Sequence, residues 1–317
     1  MSVVSRVPVG FSGRAASTAD VEAIHRLVVA VEKEQLGYAE TSADGIMASI
    51  TRPGLELADD TLVVDDESGR LAGWAWLNRG RRAQIDVDPA FRGRGVGTAL
   101  LDWAEARATE LGSDWMAQTV DDADEAGTEL LRSRGYEVLA TNWQLEMPMP
   151  VEPVVPALPA GITVRPFEDR DAAAVHLVVE DAFADWQPRR KSYEEWARLN
   201  IERETFAPAL SPVAFAGDEL VGVVLSLDLP DSDEGYVEQL AVRRDHRGQG
   251  IARGLLTVAR RGFYQQGRRN LILWTHSGTG ALAMYERLGM SVRRSTTVYR
   301  GRLPGGNPAT GNVPSQS

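Results

Sequence analysis

The sequence contains no cysteine and only four histidines in 317 residues. The absence of cysteine excludes disulfides, thiolate metal sites and a cysteine nucleophile. The histidines (His25, His176, His246 and His276) are scattered, so no histidine-built metal site is expected. No apolar run approaches the ~20 residues that span a bilayer, and the N-terminus lacks the basic-then-apolar order of a signal peptide. These absences predict a cytoplasmic protein with no membrane-spanning segment and no bound metal.

Positive charge is also scarce. The chain has 34 Lys and Arg against 45 Asp and Glu, a formal net charge of −11. The whole deficit lies in residues 1–150, with 14 basic and 25 acidic side chains, whereas residues 151–317 hold 20 of each. An acidic balance argues against nucleic acid as a partner, because non-specific binding relies on Lys and Arg neutralising phosphates. The 43% hydrophobic and 25% charged content is typical of a globular protein.

One segment interrupts the chain. MPMPVEPVVPALPAG, Met147–Gly161, carries five prolines in fifteen residues, and proline is unsuited to a central strand or helix. We therefore predict a linker at 148–160 between an N-terminal domain at 1–147 and a C-terminal domain at 161–302. The polar, Gly- and Pro-rich residues 303–317 predict a disordered tail.

The hydrophobic periodicity repeats on either side of the linker. Each half has helix and strand patterns that lead into a glycine turn, followed by a helix, a strand, a second helix and closing strands. In the first half the closing strands are predicted near Tyr136–Leu139 and Asn142–Glu146. This order predicts an α/β (α+β) fold, a mixed sheet with helices on its faces, formed twice.

The two glycine turns are FRGRGVG, Phe91–Gly97, and HRGQGIA, His246–Ala252. Each connects a predicted strand to a predicted helix. Glycines permit positive φ and close approach of backbone amides, and a helix N-terminus attracts anions. A diphosphate fits such a turn, although a glycine-rich loop without a ligand is the alternative. A Rossmann fingerprint fits poorly, because the third glycine and the acidic residue after the next strand are missing.

These residues resemble a known family. Both turns are similar to the Q/R-x-x-G-x-G/A signature of the GNAT N-acetyltransferase superfamily, and their flanks, IDVDPAFRGRGVGTALLDWA and LAVRRDHRGQGIARGLLTVA, resemble its acyl-CoA-binding strand–turn–helix. The resemblance implies two tandem GNAT domains and acetyl-CoA, or another acyl-CoA, as co-substrate. The tandem layout is similar to that of actinobacterial mycothiol synthases. The cofactor-binding residues implied are Val87, Arg92, Gly93, Arg94, Gly95, Val96, Gly97, Leu240, Ala241, Val242, Arg247, Gly248, Gln249, Gly250, Ile251 and Ala252.

The resemblance also implies a catalytic acid. TGALAMYERLGM, Thr279–Met290, is similar to the family's helix whose tyrosine protonates the leaving thiolate, which makes Tyr285 the candidate. Its counterpart in the first half is Leu131, which has no hydroxyl. Residues 243–269 also carry eight arginines against one acid, whereas 88–114 carry three against five. We therefore expect a catalytic second half and a first half that is structural or binds CoA without turnover. Tyr285 as a packed helix residue is the alternative.

The candidate general base is Glu238, on the strand that enters the second turn, where related enzymes often place a glutamate. Regular alternation would put Glu238, Leu240 and Val242 on one face of this strand; a solvent-facing glutamate is the alternative. His276 is a weaker candidate, and His246 is expected in the turn. The acidic positions Asp228, Asp231, Asp233 and Glu234 either attract a cationic amine or form an ordinary loop.

The acceptor is expected beside the predicted helix–loop–helix Asp181–Leu199. Phe183, Trp186 and Tyr193 are the candidate substrate-binding residues, near Trp196, with core packing as the alternative. The sequence thus predicts an acyl-CoA-dependent N-acyltransferase that acts on a small-molecule amine, as a monomer or homodimer. The open alternatives are a mycothiol synthase-like acetyltransferase and a non-catalytic acyl-CoA sensor or scaffold.

Overall fold

The computed structural model describes residues 7–304 except 53, 186, 188, 230 and 231. The described chain forms two compact units. The first combines the residues up to Thr141 with those from Thr296, and the second runs from Asn142 to Ser295. Each unit is a mixed sheet with helices on both faces, so the predicted fold class is confirmed.

The first half of the chain forms six strands and five helices within the described residues. In chain order these are β1 (Phe11–Arg14), α1 (Val21–Leu36), α2 (Ala43–Ile50), α3 (Leu57–Asp60), β2 (Thr61–Asp66), β3 (Leu71–Asn78), β4 (Arg82–Val87), α4 (Val96–Glu110), β5 (Trp115–Asp121), α5 (Glu125–Ser133) and β6 (Glu137–Pro148). The two closing strands predicted here are one continuous strand, β6, because no turn residue separates them.

The second half of the described chain repeats this plan. Its elements are β7 (Ile162–Pro166), α6 (Ala172–Phe183), α7 (Tyr193–Asn200), β8 (Pro212–Ala216), β9 (Glu219–Leu227), β10 (Glu234–Val242), α8 (Ile251–Gln265), β11 (Asn270–His276), α9 (Leu282–Arg287) and β12 (Ser291–Arg302).

The closing strands are exchanged between the two halves of the sequence. In the first unit the strand order is β1-β2-β3-β4-β5-β12, and β12 pairs with β5 from Thr296↔Asp121 to Arg302↔Trp115. In the second unit the order is β6-β11-β10-β9-β8-β7, and β6 pairs with β11 from Asn142↔His276 to Pro148↔Asn270. Each sheet is thus completed by a strand from the other half, and the domain limits at 147 and 161 stay a prediction.

Each sheet has a hydrophobic core on both faces. In the first unit, α4 covers one face with Leu100 and Leu101, and α1 covers the other with Ile24. In the second, α8 packs with Leu255 and Phe263 on one face. We call this the α8 face. The opposite face carries α6 and α7, with Val175 and the fully buried Trp196, and we call it the α7 face.

Close contact between helix and strand positions the glycine turns. A Cβ on Gly73 in β3 would lie 2.8 Å from Val96 Cγ1, at the start of α4. The matching Gly222 in β9 would place a Cβ 3.2 Å from Ile251 Cγ2, at the start of α8. Small residues at these positions allow the first turn of each helix to pack directly on the sheet.

The proline-rich segment 148–160, called the strap below, packs along α8. Met149 is fully buried, and its N–H donates to the Arg269 carbonyl at 2.7 Å. Leu158 contacts the first turn of α8, where a Cβ on Gly254 would lie 2.6 Å from Leu158 Cδ2. The predicted tail begins too early: Leu303 is only 7% exposed and packs in the core of the first unit. Residues 305–317 of that tail lie outside the described residues.

Candidate active site

The second glycine turn has the conformation that the sequence predicts. β10 ends at Val242, and α8 begins at Ile251 with Gly250 as its N-cap. Gly248 and Gly250 have φ of 76° and 89°, in the left-handed region where other residues are strained. The first helical bond here joins Gly254 N–H to the Gly250 carbonyl, so the N–H groups of residues 251–253 lack partners within the helix. An anion is favoured at such an end.

The first glycine turn has the same backbone but less space. Gly93 and Gly95 have φ of 71° and 83°, and α4 begins at Val96. A Cβ on Gly95 would lie 3.1 Å from Pro8 Cγ, whereas no atom of the described residues lies within 4 Å of the same position at Gly250. The segment before β1 therefore covers the first turn at this point.

The arginines of the first turn are engaged within their own unit. The Arg94 guanidinium lies 4.7 Å from the ring centre of Phe11 and 5.3 Å from that of Phe91. Arg92 forms an ion pair with Glu34. These contacts direct both cations toward protein groups.

The arginines near the second turn differ in their partners. Arg243 pairs with Glu219 and Asp245, Arg244 with Asp185, Arg261 with Glu152, and Arg268 with Asp228. Arg247, in the turn itself, donates to the Val242 and Ala182 carbonyls at 3.0 and 3.2 Å. Half of the eight arginines are thus neutralised by carboxylates, so the positive charge at this turn is smaller than a count of residues suggests.

A groove opens where two parallel strands separate. β10 and β11 pair from Glu234↔Asn270 to Val237↔Leu273, and the described residues show no further pair although β10 continues to Val242. Leu240, Ala241 and Val242 therefore lie along an edge of β10 that is not hydrogen-bonded to β11. Backbone N–H and C=O groups at such an edge can bond an extended ligand. In the first unit β4 and β5 likewise pair only at Arg82↔Ala117 and Ala83↔Gln118.

Glu238 is the extra residue of a β-bulge. β10 pairs with β9 at Val237↔Ser226 and next at Gln239↔Leu225, so two residues of β10 oppose one position of β9. The corresponding pair in the first unit, β3 and β4, runs without a shift from Gly73↔Val87 to Asn78↔Arg82. The first unit therefore has no counterpart of Glu238.

The bulge makes the predicted alternation of β10 wrong. Val237 packs with Leu240 and Val242 on the α8 face, although alternation put it opposite them. Gln239 accepts a hydrogen bond from Trp196 Nε1 at 3.4 Å, and Ala241 packs on the same α7 face. One inserted residue shifts the two-residue period, which the sequence pattern does not reveal.

The Glu238 carboxylate is partly withdrawn from solvent. Its side chain is 28% exposed, and it lies 3.7 Å from the Arg203 guanidinium, just after α7. Burial raises the pKa of Glu238, and Arg203 partly offsets this by favouring the charged form. Sequence reasoning missed Arg203, because nothing in its local sequence links it to β10. Burial thus increases the basicity of the Glu238 carboxylate, and the nearby Arg203 limits that increase.

Tyr285 lies on α9 and is 7% exposed. It belongs to the same buried cluster as Val237 and Leu273, the last paired residues of β10 and β11. Its hydroxyl has no hydrogen-bond partner among the described residues. Burial raises its pKa above the usual value, which keeps the phenol protonated. The equivalent Leu131 is 1% exposed.

The aromatic candidates for acceptor binding separate into two groups. Tyr193 begins α7 and is 40% exposed, and Phe183 ends α6 and packs against the α7 face. Trp196 is core, not pocket. Trp186 lies outside the described residues.

The remaining titratable candidates have local roles. His246 bonds Asp245 at 3.0 Å within the turn, as expected, and His276 Nδ1 accepts from the Gly278 N–H at 2.9 Å. Burial lowers the pKa of His276. Glu234 accepts from Arg293 and Asn270. Asp228 pairs with Arg268, and Asp231 lies outside the described residues. Paired carboxylates favour the ordinary acidic loop over an amine-binding cluster.

Neither a membrane-spanning helix nor a cluster of metal ligands occurs among the described residues. None of their helices is long and apolar enough to cross a bilayer. No group of three or more His, Asp or Glu side chains among them is arranged to hold a metal ion.

The chain is similar to named proteins over most of its length. A mycothiol acetyltransferase of Geodermatophilus obscurus is 29% identical over 274 residues, 80% of this chain and 88% of that protein. A mycothiol acetyltransferase of Thermobispora bispora is 26% identical over 285 residues, 84% of this chain and 93% of that protein. A crystal structure of a GCN5-related N-acetyltransferase from Sphaerobacter thermophilus has a TM-score of 0.78 and 27% identity, covering 95% of this chain and 98% of that one.

The model of one family matches the chain twice, over residues 21–136 and 173–290. The first match ends at the residue before β6, and the second ends at the residue before β12, so each covers one copy of the repeat. Each family match therefore contains one copy of the fold and one glycine turn. The chain belongs to the acetyltransferase (GNAT) family and is a tandem acetyltransferase.

Proposed function

We propose that the second unit performs the transfer, moving an acetyl group from acetyl-CoA to the primary amine of a small molecule. One observation carries this assignment: the bulged carboxylate Glu238 and the phenol Tyr285 both occur in the second unit, and both are missing at the equivalent positions of the first. The first unit is then structural, or binds CoA without turnover.

The second turn is the proposed site for the diphosphate of the co-substrate. Its open space at Gly248 and Gly250 and the unpartnered N–H groups of residues 251–253 support this role. The separated edge of β10, from Leu240 to Val242, is suited to hydrogen bonds with the amide groups of an extended pantetheine arm. Arg247, held to two carbonyl oxygens, positions the turn.

The reaction needs a proton acceptor and a proton donor. The amine nitrogen attacks the thioester carbon, the carbonyl π electrons move to oxygen, and the collapse of this tetrahedral state breaks the C–S bond. In our proposal Glu238 takes the proton that the amine loses, directly or through water, and Tyr285 gives its phenolic proton to the departing sulfur. The raised pKa of Glu238 makes it a stronger base, and the raised pKa of Tyr285 keeps its proton available.

The acceptor is proposed to bind near Tyr193, Phe183 and Trp186. Tyr193 packs beside His176 and Trp196, and at 40% exposure its ring is still accessible to a ligand. The narrower proposal, mycothiol acetyltransferase activity, is supported by the relatives of that name, which the chain matches over most of their length. It is tested with the deacetylated form of mycothiol as acceptor.

The decisive experiment measures CoA release from acetyl-CoA with a panel of small amines and a control without acceptor. We expect amine-dependent release that falls in Glu238→Gln and Tyr285→Phe and persists in Leu131→Met, a volume-conserving change at the equivalent buried position of the first unit. Tight CoA binding without release on any amine would favour the sensor or scaffold alternative.

A further inference from the structure

A cavity of about 150 Å³ lies in the second unit, between the strap and one side of α8. Pro153 and Val154 of the strap line one wall, Arg253 and Arg260 of α8 the other, and Met147 and Leu288 close it. A cavity of this size holds a molecule such as benzene. Unlike a dry apolar cavity, this one presents two guanidinium groups.

Neither arginine has an internal partner for its charge. Within the described residues, Arg253 and Arg260 have no ion pair and no side-chain hydrogen bond, and Arg260 Nε is sealed from solvent without an acceptor. Burial lowers the pKa of Arg260 accordingly. A buried donor without an acceptor destabilises the fold, and more so when it is charged.

The first unit shows what normally occupies this position. Glu105 and Arg134 stand where the second unit has Arg260 and Leu288, and there Arg134 pairs with Glu105 and Asp102. The Tyr136 hydroxyl also donates to Glu105 at 3.1 Å. The first unit thus satisfies its own charges. In the second unit the charge at the helix position is reversed, because Arg260 stands where the first unit has Glu105. Its partner is also missing, because Leu288 stands where the first unit has Arg134.

The strap cannot supply the missing anion. Glu152 is its one acidic residue, and both Arg261 Nε and Gln265 Nε2 donate to Glu152 Oε1, at 2.7 and 2.9 Å. These bonds hold the strap along α8 and direct its carboxylate away from Arg260. The cavity is therefore a fixed space with an apolar wall and an unmatched positive charge.

We propose that this cavity binds a small organic anion, whose acid group pairs with Arg260 and whose apolar body packs against Val154, Met147 and Leu288. Arg253, earlier on α8, adds a second positive charge at the same wall. The cavity lining includes neither Glu238 nor Tyr285. Arg260 lies about two turns along α8 from Arg253, whose backbone N–H belongs to the proposed diphosphate site.

The probe is isovalerate, a branched carboxylate of suitable size, titrated by calorimetry into the whole protein. We expect saturable binding that is at least tenfold weaker for isovaleramide, its neutral isostere, and at least tenfold weaker in Arg260→Gln. Arg287→Gln is the matched control, because Arg287 is exposed on α9 and does not line the cavity. No saturable binding, or equal affinity in Arg260→Gln, would overturn the proposal.

Two further measurements make the test independent of folding and of the co-substrate. Arg260→Glu with Leu288→Arg rebuilds the ion pair of the first unit, so this variant should melt at or above the wild-type temperature and lose isovalerate binding. Binding that survives in this folded variant contradicts the site. Saturating CoA should leave isovalerate affinity unchanged within twofold, whereas competitive displacement would place the anion in the co-substrate groove and refute a separate site.

Discussion

Replacing Tyr285 by phenylalanine separates chemistry from packing, because the substitution removes one oxygen atom from a ring that is only 7% exposed. The hydroxyl has no hydrogen-bond partner among the described residues, so no buried acceptor is left unsatisfied. We therefore expect the free energy of unfolding to change by less than ~1 kcal/mol. Acetyl-CoA should bind with nearly wild-type affinity.

The rate should respond differently. A positioned general acid is typically worth ~10²–10⁴ in rate, or ~3–5 kcal/mol of transition-state stabilisation. Water can replace part of this effect, so kcat should fall at least tenfold. Because the interaction would exist only in the transition state, kcat and kcat/KM should fall together. Steady-state kinetics with a saturating amine, under conditions where chemistry limits the rate, measure this directly.

Tyr136→Phe is the matched control. Tyr136 is also buried, at 6% exposure, but its hydroxyl donates to Glu105 in the first unit at 3.1 Å. Its loss should lower stability by about 1–2 kcal/mol and leave kcat unchanged. A Tyr285→Phe enzyme with undiminished kcat would end the acid hypothesis and weaken the assignment of catalysis to the second unit.

Three other outcomes are expected. Burial raises the pKa of Glu238, so kcat/KM should fall as the pH drops through that raised pKa. Arg203→Gln removes a cation 3.7 Å from the carboxylate and should move this acidic limb of the pH profile to higher pH, whereas Glu238→Gln should abolish the limb. An acidic limb that is unchanged in both variants would exclude Glu238 as the base. Gly248→Glu should abolish acetyl-CoA binding at the second turn. Gly93→Glu, at a position with a similar φ and equally open space, should leave most turnover intact. Equal losses of turnover in the two folded variants would contradict the assignment of catalysis to the second unit. Burial raises the pKa of the Asp86 carboxyl to about 6. The folded protein therefore holds this proton more tightly than the unfolded chain does, and stability is lost as the pH rises from ~4 to ~6. Asp86→Asn should raise the melting temperature at pH 8 more than at pH 4, and an identical change in melting temperature at both pH values would refute that pKa.

The features that the sequence predicts well are local ones. Gly248 and Gly250 fall between a strand pattern and a helix pattern, and only glycine adopts their backbone angles without strain. The position of α8 after this turn follows from the same few residues. Tyr285 and Leu131 can be compared because each stands four residues before a glycine, Gly289 and Gly135.

The features that the sequence did not predict depend on residues far apart in the chain. The pairing of β6 with β11 joins Asn142 to His276, and nothing in either segment specifies a partner more than a hundred residues away. The bulge at Glu238 is invisible for a related reason. The alternating pattern of a strand does not show which residue is extra, because the register is fixed only by pairing with the neighbouring strand.

The comparison between the two copies gives the site its strongest argument. Both units share the open angle between parallel strands and the positive-φ turn, so these features belong to the common fold and cannot by themselves distinguish an active copy. Three features differ between them. Glu238 is the extra residue of the β10 bulge, and Tyr285 stands where the first unit has Leu131. Pro8 lies against Gly95 of the first turn, whereas no described atom lies within 4 Å of a Cβ on Gly250. These three differences, an inserted strand residue, a helix substitution and a flanking segment, all favour the same copy. A transfer centre needs a proton acceptor, a proton donor and an open anion-binding turn in one place, and the second unit is the copy in which candidates for all three occur together.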